Sequence, residues 1–296
     1  MIEIIFPYDL QKISFIKTLP GRKYHPGRKS WHIPITNSLP VIEQLRQQGF
    51  EIDPALLEAV EQDANRAREA EALATMADTE FESPLPLRDY QRVGSAFLYR
   101  IGSGLLADEP GVGKTLQCLA VAEKAGAKKV LIFTPASVKW QFAEEIKKFI
   151  PSDHRTVIIH GSARKRVELW ADEDQRFYVA NYEQLLRDFD HINQREWDLI
   201  VADEATKIAN PTAKQSKLIK KLRAKRRIAM TGTPISNRAN ECWNILDFCV
   251  PGALGNYWSF VERYCLKNQW GGVFGYRNMD ELRDRIKRYM IRRLKS

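Results

Sequence analysis

Residues Ala107 to Thr115 read A-D-E-P-G-V-G-K-T, preceded by the apolar run Gly104-Leu105-Leu106 and followed by a helical pattern. Strand, glycine-rich turn and helix in that order make a phosphate cradle. Gly111, Val112 and Gly113 turn backbone N–H groups toward phosphate oxygens, the new helix points its positive end at them, Lys114 adds charge, and the Thr115 hydroxyl is a ligand for Mg²⁺. The stretch therefore reads as a nucleoside triphosphate site. It departs from G-x-x-x-x-G-K-S/T at the first position, where Asp108 stands.

Working outward, short apolar runs recur at Leu105 to Ala107, Val130 to Phe133, Thr156 to Ile159, Phe177 to Ala180, Leu199 to Ala202 and Arg227 to Met230. Helix-like segments such as Ser137 to Phe149 and Ala213 to Arg223 separate them. Runs that are apolar on both faces and joined by helices predict an α/β fold with a parallel, doubly wound sheet and ligands at the carboxyl ends of its strands. One strand, within Asp198 to Thr206 (D-L-I-V-A-D-E-A-T), ends in adjacent carboxylates. Asp203 there suits Mg²⁺ held through water, and Glu204 suits the orientation and deprotonation of a water attacking the γ-phosphate. A strand-ending acidic turn without chemistry is the alternative; the position downstream of a phosphate loop weighs against it.

The chain has 296 residues, long enough for a large domain plus a small one, with 44% hydrophobic and 28% charged residues. No apolar run reaches the roughly 18 residues that span a bilayer, and Met1 to Asp9 do not read as a signal peptide, so no membrane partner and no secretion are expected. Cys118, Cys242, Cys249 and Cys265 lie in apolar contexts without a C-x-x-C pair and read as reduced core thiols. Net charge is +9. Basic groups cluster at Arg22-Lys23 with Arg28-Lys29, at Arg164-Lys165-Arg166, at Lys220 to Arg227 and at Arg283 to Lys295. Any one cluster reads as a solvated face, but four beside a nucleotide site point to nucleic acid.

Residues 1–53 carry short runs, Ile2 to Phe6 and Trp31 to Ile35, split by Pro-Gly turns, and predict a small α+β module. Pro54 opens a connecting helix to about Ala77, with Leu56, Leu57, Val60, Ala64, Ala67 and Leu73 at helical spacing; Ser83-Pro84-Leu85-Pro86 ends the connecting stretch, 54–82. Residues 83–296 form the large lobe.

Ala107 to Thr115, Asp203-Glu204-Ala205-Thr206 and Met230-Thr231-Gly232-Thr233-Pro234 resemble motifs I, II and III of superfamily-two helicase-type ATPases, in detail the Snf-type, chromatin-remodeller-like branch. Leu87-Arg88-Asp89-Tyr90-Gln91 resembles that branch's nucleotide-recognition motif, in which the glutamine reads the adenine edge. Thr134-Pro135-Ala136-Ser137 with Trp140, His160-Gly161, Asn181-Tyr182-Glu183, Asn237 through Phe260 and Tyr289 to Arg293 are similar to its flanking motifs. The resemblance implies a first RecA-like lobe that binds ATP with Mg²⁺ and tracks along double-stranded DNA. It places Arg88 and Gln91 at the nucleotide, Thr134, Ser137, Lys139 and Asn181 near the nucleic acid, and Thr206, Thr231, Gly232 and Thr233 in coupling. Thr206 stands where the family usually has histidine, which puts the coupling detail in question. The family continues past Arg292-Arg293 into a second RecA-like lobe whose arginines reach the γ-phosphate. That lobe is expected in cis or in trans, and this polypeptide alone is expected to bind ATP weakly and turn it over poorly.

The N-terminal module is similar to the HARP domain of annealing helicases at Phe6, Tyr8, Ile13, Ile16, Leu19 to Tyr24 and Lys29 through Pro34. That resemblance implies a preference for branched or forked DNA, with Arg22 and Lys23 among the phosphate contacts. Three other readings stand beside it: a restriction or RNA-remodelling motor, a nucleic-acid-binding module without catalysis, and a metabolic P-loop kinase, the last leaving the Thr231 to Pro234 signature unexplained. Localisation is expected to be cytoplasmic for a prokaryotic or phage source and nuclear for a eukaryotic one.

Overall fold

The computed structural model describes residues 2–19, 22–33, 39–75, 81–151, 155–232, 239–268 and 272–293. The chain divides into two compact units, Met1–Glu69 with Pro251–Arg285 and Ala70–Val250 with Ile286–Ser296. The sequence reading keeps residues 251–285 in the large lobe, whereas the compact division groups them with the N-terminal unit.

The N-terminal segment contains β1 (Ile2–Ile4), α1 (Leu10–Ile16), β2 (Lys23–His25), β3 (Ser30–Ile33), α2 (Leu39–Gln47) and α3 (Pro54–Thr75). Its antiparallel sheet has the order β1-β3-β2. Asp9 caps α1, its carboxylate accepting from the Gln11 and Lys12 amides. Alternation sends Ile2, Ile4 and Ile33 into a core shared with Ile16, Leu19, Ile42, Leu45 and Val60, so an α+β module is what forms.

The second unit carries α4 (Asp89–Ile101), β4 (Gly104–Leu106), α5 (Lys114–Lys124), β5 (Val130–Thr134), α6 (Lys139–Phe149), β6 (Thr156–Ile158), α7 (Ala163–Ala171) and β7 (Phe177–Asn181). It continues with α8 (Tyr182–Arg187), α9 (Phe189–Asn193), β8 (Trp197–Ala202), a 3₁₀ turn at Ala205–Ile208, α10 (Lys214–Ile219), β9 (Ala224–Met230) and α11 (Ala239–Cys249). After α12 (Tyr257–Tyr264), the antiparallel hairpin β10 (Cys265–Lys267) and β11 (Val273–Tyr276), and α13 (Met279–Lys287), the chain returns as β12 (Met290–Ile291).

Among the described residues seven strands make one sheet in the order β12-β4-β9-β8-β5-β7-β6, every pairing parallel. The fold is RecA-like, with flanking helices. Strands β5, β7 and β8 are buried on nearly every residue, as central strands covered on two faces must be. Because all seven run the same way, every loop that follows a strand opens at one edge of the sheet. That edge is where the sequence motifs meet.

Candidate nucleotide site

The loop between β4 and α5 turns through two left-handed glycines, Gly111 (φ 81°) and Gly113 (φ 78°). Gly113 is the N-cap of α5. A side chain on it would be strained by that φ and would overlap Gln91 Nε2. The Lys114 ammonium donates to the carbonyls of Asp108 (2.9 Å) and Glu109 (3.1 Å), folding over the first half of the loop. Burial pulls its pKa below the ordinary lysine value, against the opposing charges of Asp108, Asp203 and Glu204. Thr115 follows on the first turn of α5, half-buried.

Asp203 leaves the end of β8, and its half-buried carboxylate is held from two sides. Thr134 Oγ1 donates to Oδ2 at 2.9 Å, and the Glu204 amide donates to Oδ1 at 3.0 Å. Burial pushes the Asp203 carboxyl up from its ordinary value. Glu204 adopts a left-handed backbone (φ 48°, ψ 58°), rare for a residue with a side chain. The Thr206 hydroxyl donates to Glu204 Oε1 at 3.1 Å. Thr206 thus orients the acid beside it. Thr231 is buried after β9, its amide bonded to Leu106 O (3.1 Å). Gly232 packs so tightly on the phosphate loop that a methyl there would lie 2.7 Å from Pro110 Cγ and 3.4 Å from Lys114 Nζ. Contact between motif III and the phosphate loop therefore runs through bare backbone. Thr233 lies outside the described residues.

Beside the loop a cavity of about 330 Å³ is lined by Arg88, Tyr90, Gln91, Val112, Lys148 and Phe149 among others, within the size range of small-ligand sites. Gln91 is bonded at both ends, Nε2 to Val112 O (3.0 Å) and Oε1 from the Arg88 amide (2.9 Å), and Tyr90 Oη donates to Val112 O (3.3 Å). Lys148 and Phe149 belong to α6, a wall that no motif marks; only the packing of α6 beside α5 reveals it.

Residues 45–296 match the SNF2-related domain. The chain belongs to the SNF2-related family. It is 34% identical over 213 residues to the mouse DNA excision repair protein ERCC-6-like 2, covering 60% of this chain and 14% of that protein. With the Caenorhabditis elegans homologue of SWI/SNF-related matrix-associated actin-dependent regulator of chromatin subfamily A-like protein 1 it shares 29% identity over 305 residues, covering 98% of this chain and 43% of that protein. The Sulfolobus solfataricus SWI2/SNF2 ATPase core, solved in complex with dsDNA, superposes with a TM-score of 0.63 at 36% identity, covering 74% of this chain and 47% of that one. The chain thus spans less than half the length of each of these relatives.

Several of the residues named from the sequence are buried. Asp108 is fully buried, both oxygens taken by Arg293 and Gln117, so its side chain does not line a phosphate pocket. Thr134 is fully buried and spent on Asp203, and Lys139 is buried with its ammonium on Ile159 O (2.6 Å). Neither side chain is exposed. The reason is shared: both lie where β5 or α6 meets the sheet interior, and each satisfies a buried acceptor. Ser137 is exposed ahead of α6, and Asn181 caps α8, its side chain accepting from the Gln184 amide (3.1 Å).

The basic clusters also thin out. Arg166 makes a buried bidentate pair with Asp188, Lys220 bonds Asn244 and Asp247, and Arg227 donates to Leu222 O and Phe248 O. In the N-terminal unit Arg22 is exposed, its guanidinium reaching Leu19 O (3.0 Å); the Lys23 backbone lies in β2 and its side chain is outside the described residues.

Proposed function

We propose that the chain is the ATP-binding lobe of a DNA-dependent ATPase that translocates along duplex or branched DNA. The observation that carries the reading is one sheet edge that brings together the phosphate loop, the Asp203-Glu204 pair and Gly232. In it, amides 111–113 and Lys114 bind the phosphates, Arg88 and Gln91 face the base, and Glu204 orients the attacking water. Asp203, a half-buried carboxylate beside the phosphate loop, and the Thr115 hydroxyl are hard oxygen donors that fit Mg²⁺ carried in by phosphates. Mg²⁺, when bound, neutralises charge on the β- and γ-phosphates.

Efficient turnover needs a second RecA-like lobe, in cis or in trans, because an arginine supplied from outside is worth about 10³ to 10⁵ in rate. Residues 1–53 act as a HARP-like module that directs the motor to branched DNA, residues 54–82 connect it, and the lobe from 83 onward holds ATP. The alignment with the nematode relative covers 98% of this chain, the N-terminal residues included. Ser137, Asn181, Arg22 and Lys23 remain as DNA contacts, the first two on the edge shared with the nucleotide.

The test is titration with a fluorescent ATP analogue and Mg²⁺. The parent and Glu204→Gln bind, and Lys114→Ala does not; parental affinity in Lys114→Ala overturns the assignment. DNA-stimulated turnover of about one per second from these 296 residues alone, near the low end of ordinary enzymes, overturns the need for a second lobe.

A further inference from the structure

Arg293 follows β12, and the parallel pairing of β12 with β4 delivers it to the first half of the phosphate loop. Its backbone N–H and Nε donate to Asp108 Oδ1 at 2.9 and 3.1 Å, and Nη2 donates to Oδ2 at 2.5 Å. The same Nη2 donates to Gln117 Oε1 at 2.7 Å, and Gln117 Nε2 closes the ring on Asp108 Oδ2 at 3.2 Å. Main-chain bonds run alongside, from the Ala107 amide to Ile291 O (2.8 Å) and from the Glu109 amide to Arg293 O (3.3 Å). Asp108 and Gln117 are fully buried. A methyl on Gly94, in the interior of α4, would overlap both Gln117 Oε1 and Arg293 Nη2. Glycine weakens a helix interior, and room for this guanidinium is the physical reason it stands there.

The carbonyls that hold Lys114 Nζ are those of Asp108 and Glu109, the two residues that Arg293 fixes. We propose that Arg293 is a positioning residue for nucleotide binding: its guanidinium, by pairing with buried Asp108 beside the main-chain bond from the Glu109 amide to the Arg293 carbonyl, sets the 108–109 backbone, and through it the place of Lys114. Affinity for ATP then depends on a side chain some 180 residues further along the chain, on the buried side of the loop. An unpaired Asp108 would be a charge without a partner in the interior, so the pair acts as a unit. The inference rests on the reading that this loop holds the phosphates of ATP.

The experiment uses the full chain with four changes: Arg293→Ala, Arg293→Lys, Gly94→Ala, and the neutral pair Asp108→Asn/Arg293→Met, which removes both charges and avoids a buried orphan. Two readouts are taken on each, fluorescent ATP-analogue affinity with Mg²⁺ and amide hydrogen exchange over residues 107–115 without nucleotide, with a melting curve to establish folding. Arg293→Ala, Gly94→Ala and the pair are expected to lose about tenfold or more in affinity. Exchange in all three accelerates within the loop while β5, β7 and β8 stay protected. Arg293→Lys recovers part of both effects, because an ammonium reaches Asp108 without the fork that also engages Gln117.

The inference is overturned if the folded neutral pair binds with parental affinity, or if its loop exchange is unchanged. Absence of analogue binding in the parent itself would sink the ATP reading instead, leaving the exchange measurement to decide the positioning role.

Discussion

Gly113→Ala isolates the backbone demand of the phosphate loop. Gly113 sits at φ 78°, where an alanine pays about 1–2 kcal/mol of left-handed strain. Its new Cβ would also overlap Gln91 Nε2, displacing the amide from Val112 O, a 3.0 Å bond worth about 0.5–1.5 kcal/mol net. Together these predict a loss of about 1.5–3.5 kcal/mol, a fall in Tm of about 3–14 °C for a lobe of this size. Gly126→Ala supplies the control, since it has φ +60° with nothing within 4 Å of the added methyl, and so carries the strain alone. Urea denaturation of Gly113→Ala, Gly126→Ala, Gln91→Ala and Gln91→Ala/Gly113→Ala separates the two contributions. In the Gln91→Ala background the Gly113→Ala cost should drop to that of Gly126→Ala. Equal costs at Gly113 and Gly126 in the parent background would refute the contact with Gln91, and no cost at either would refute the strain.

The buried Arg166–Asp188 pair, which also takes the Trp170 Nε1 donor, should make Arg166→Ala destabilising by about 3–5 kcal/mol in urea melts, while Arg166→Met/Asp188→Leu costs much less. Thr206→Val removes the hydroxyl on Glu204 Oε1; analogue affinity should stay parental while hydrolysis, measured with a second lobe present, falls several-fold. Gly232→Ala should weaken nucleotide binding in an analogue titration, because its methyl meets the rigid Pro110 ring and crowds Lys114 Nζ. At Asp198 burial disfavours the charge, but the Lys225 ammonium and the Lys128 and Lys129 amides outweigh it and hold the carboxyl below its usual range. Its contribution is therefore complete above the ordinary carboxylate pKa, and the stability gap between parent and Asp198→Asn should close as pH falls from about 4 downward.

Much of the lobe was legible because its signals are local. The apolar runs at 130–133, 177–180 and 199–202 became β5, β7 and β8, and the helix read from Pro54 runs to Thr75. Strand β12 was not legible: two residues with one buried side chain carry no periodicity, and only pairing with β4 makes them a strand. Nor did charge patterning reveal which basic groups are exposed, for the same reason. Arg166, Lys139 and Arg227 look like surface groups in a linear chain, and each is instead folded onto a buried acceptor.

The parallel α/β class was legible from the recurrence of apolar runs between helical segments, and the phosphate loop with its two left-handed glycines and the Asp203-Glu204 pair from a few consecutive residues each. Tertiary structure alone decided which of those residues face the site. Asp108 turned inward, Thr134 became a prop for Asp203, and α6 became a wall of the cavity. Arg293 arrived at the loop from the far end of the chain. These outcomes depend on which strand lies beside which, and a buried donor takes whatever acceptor that order brings within reach.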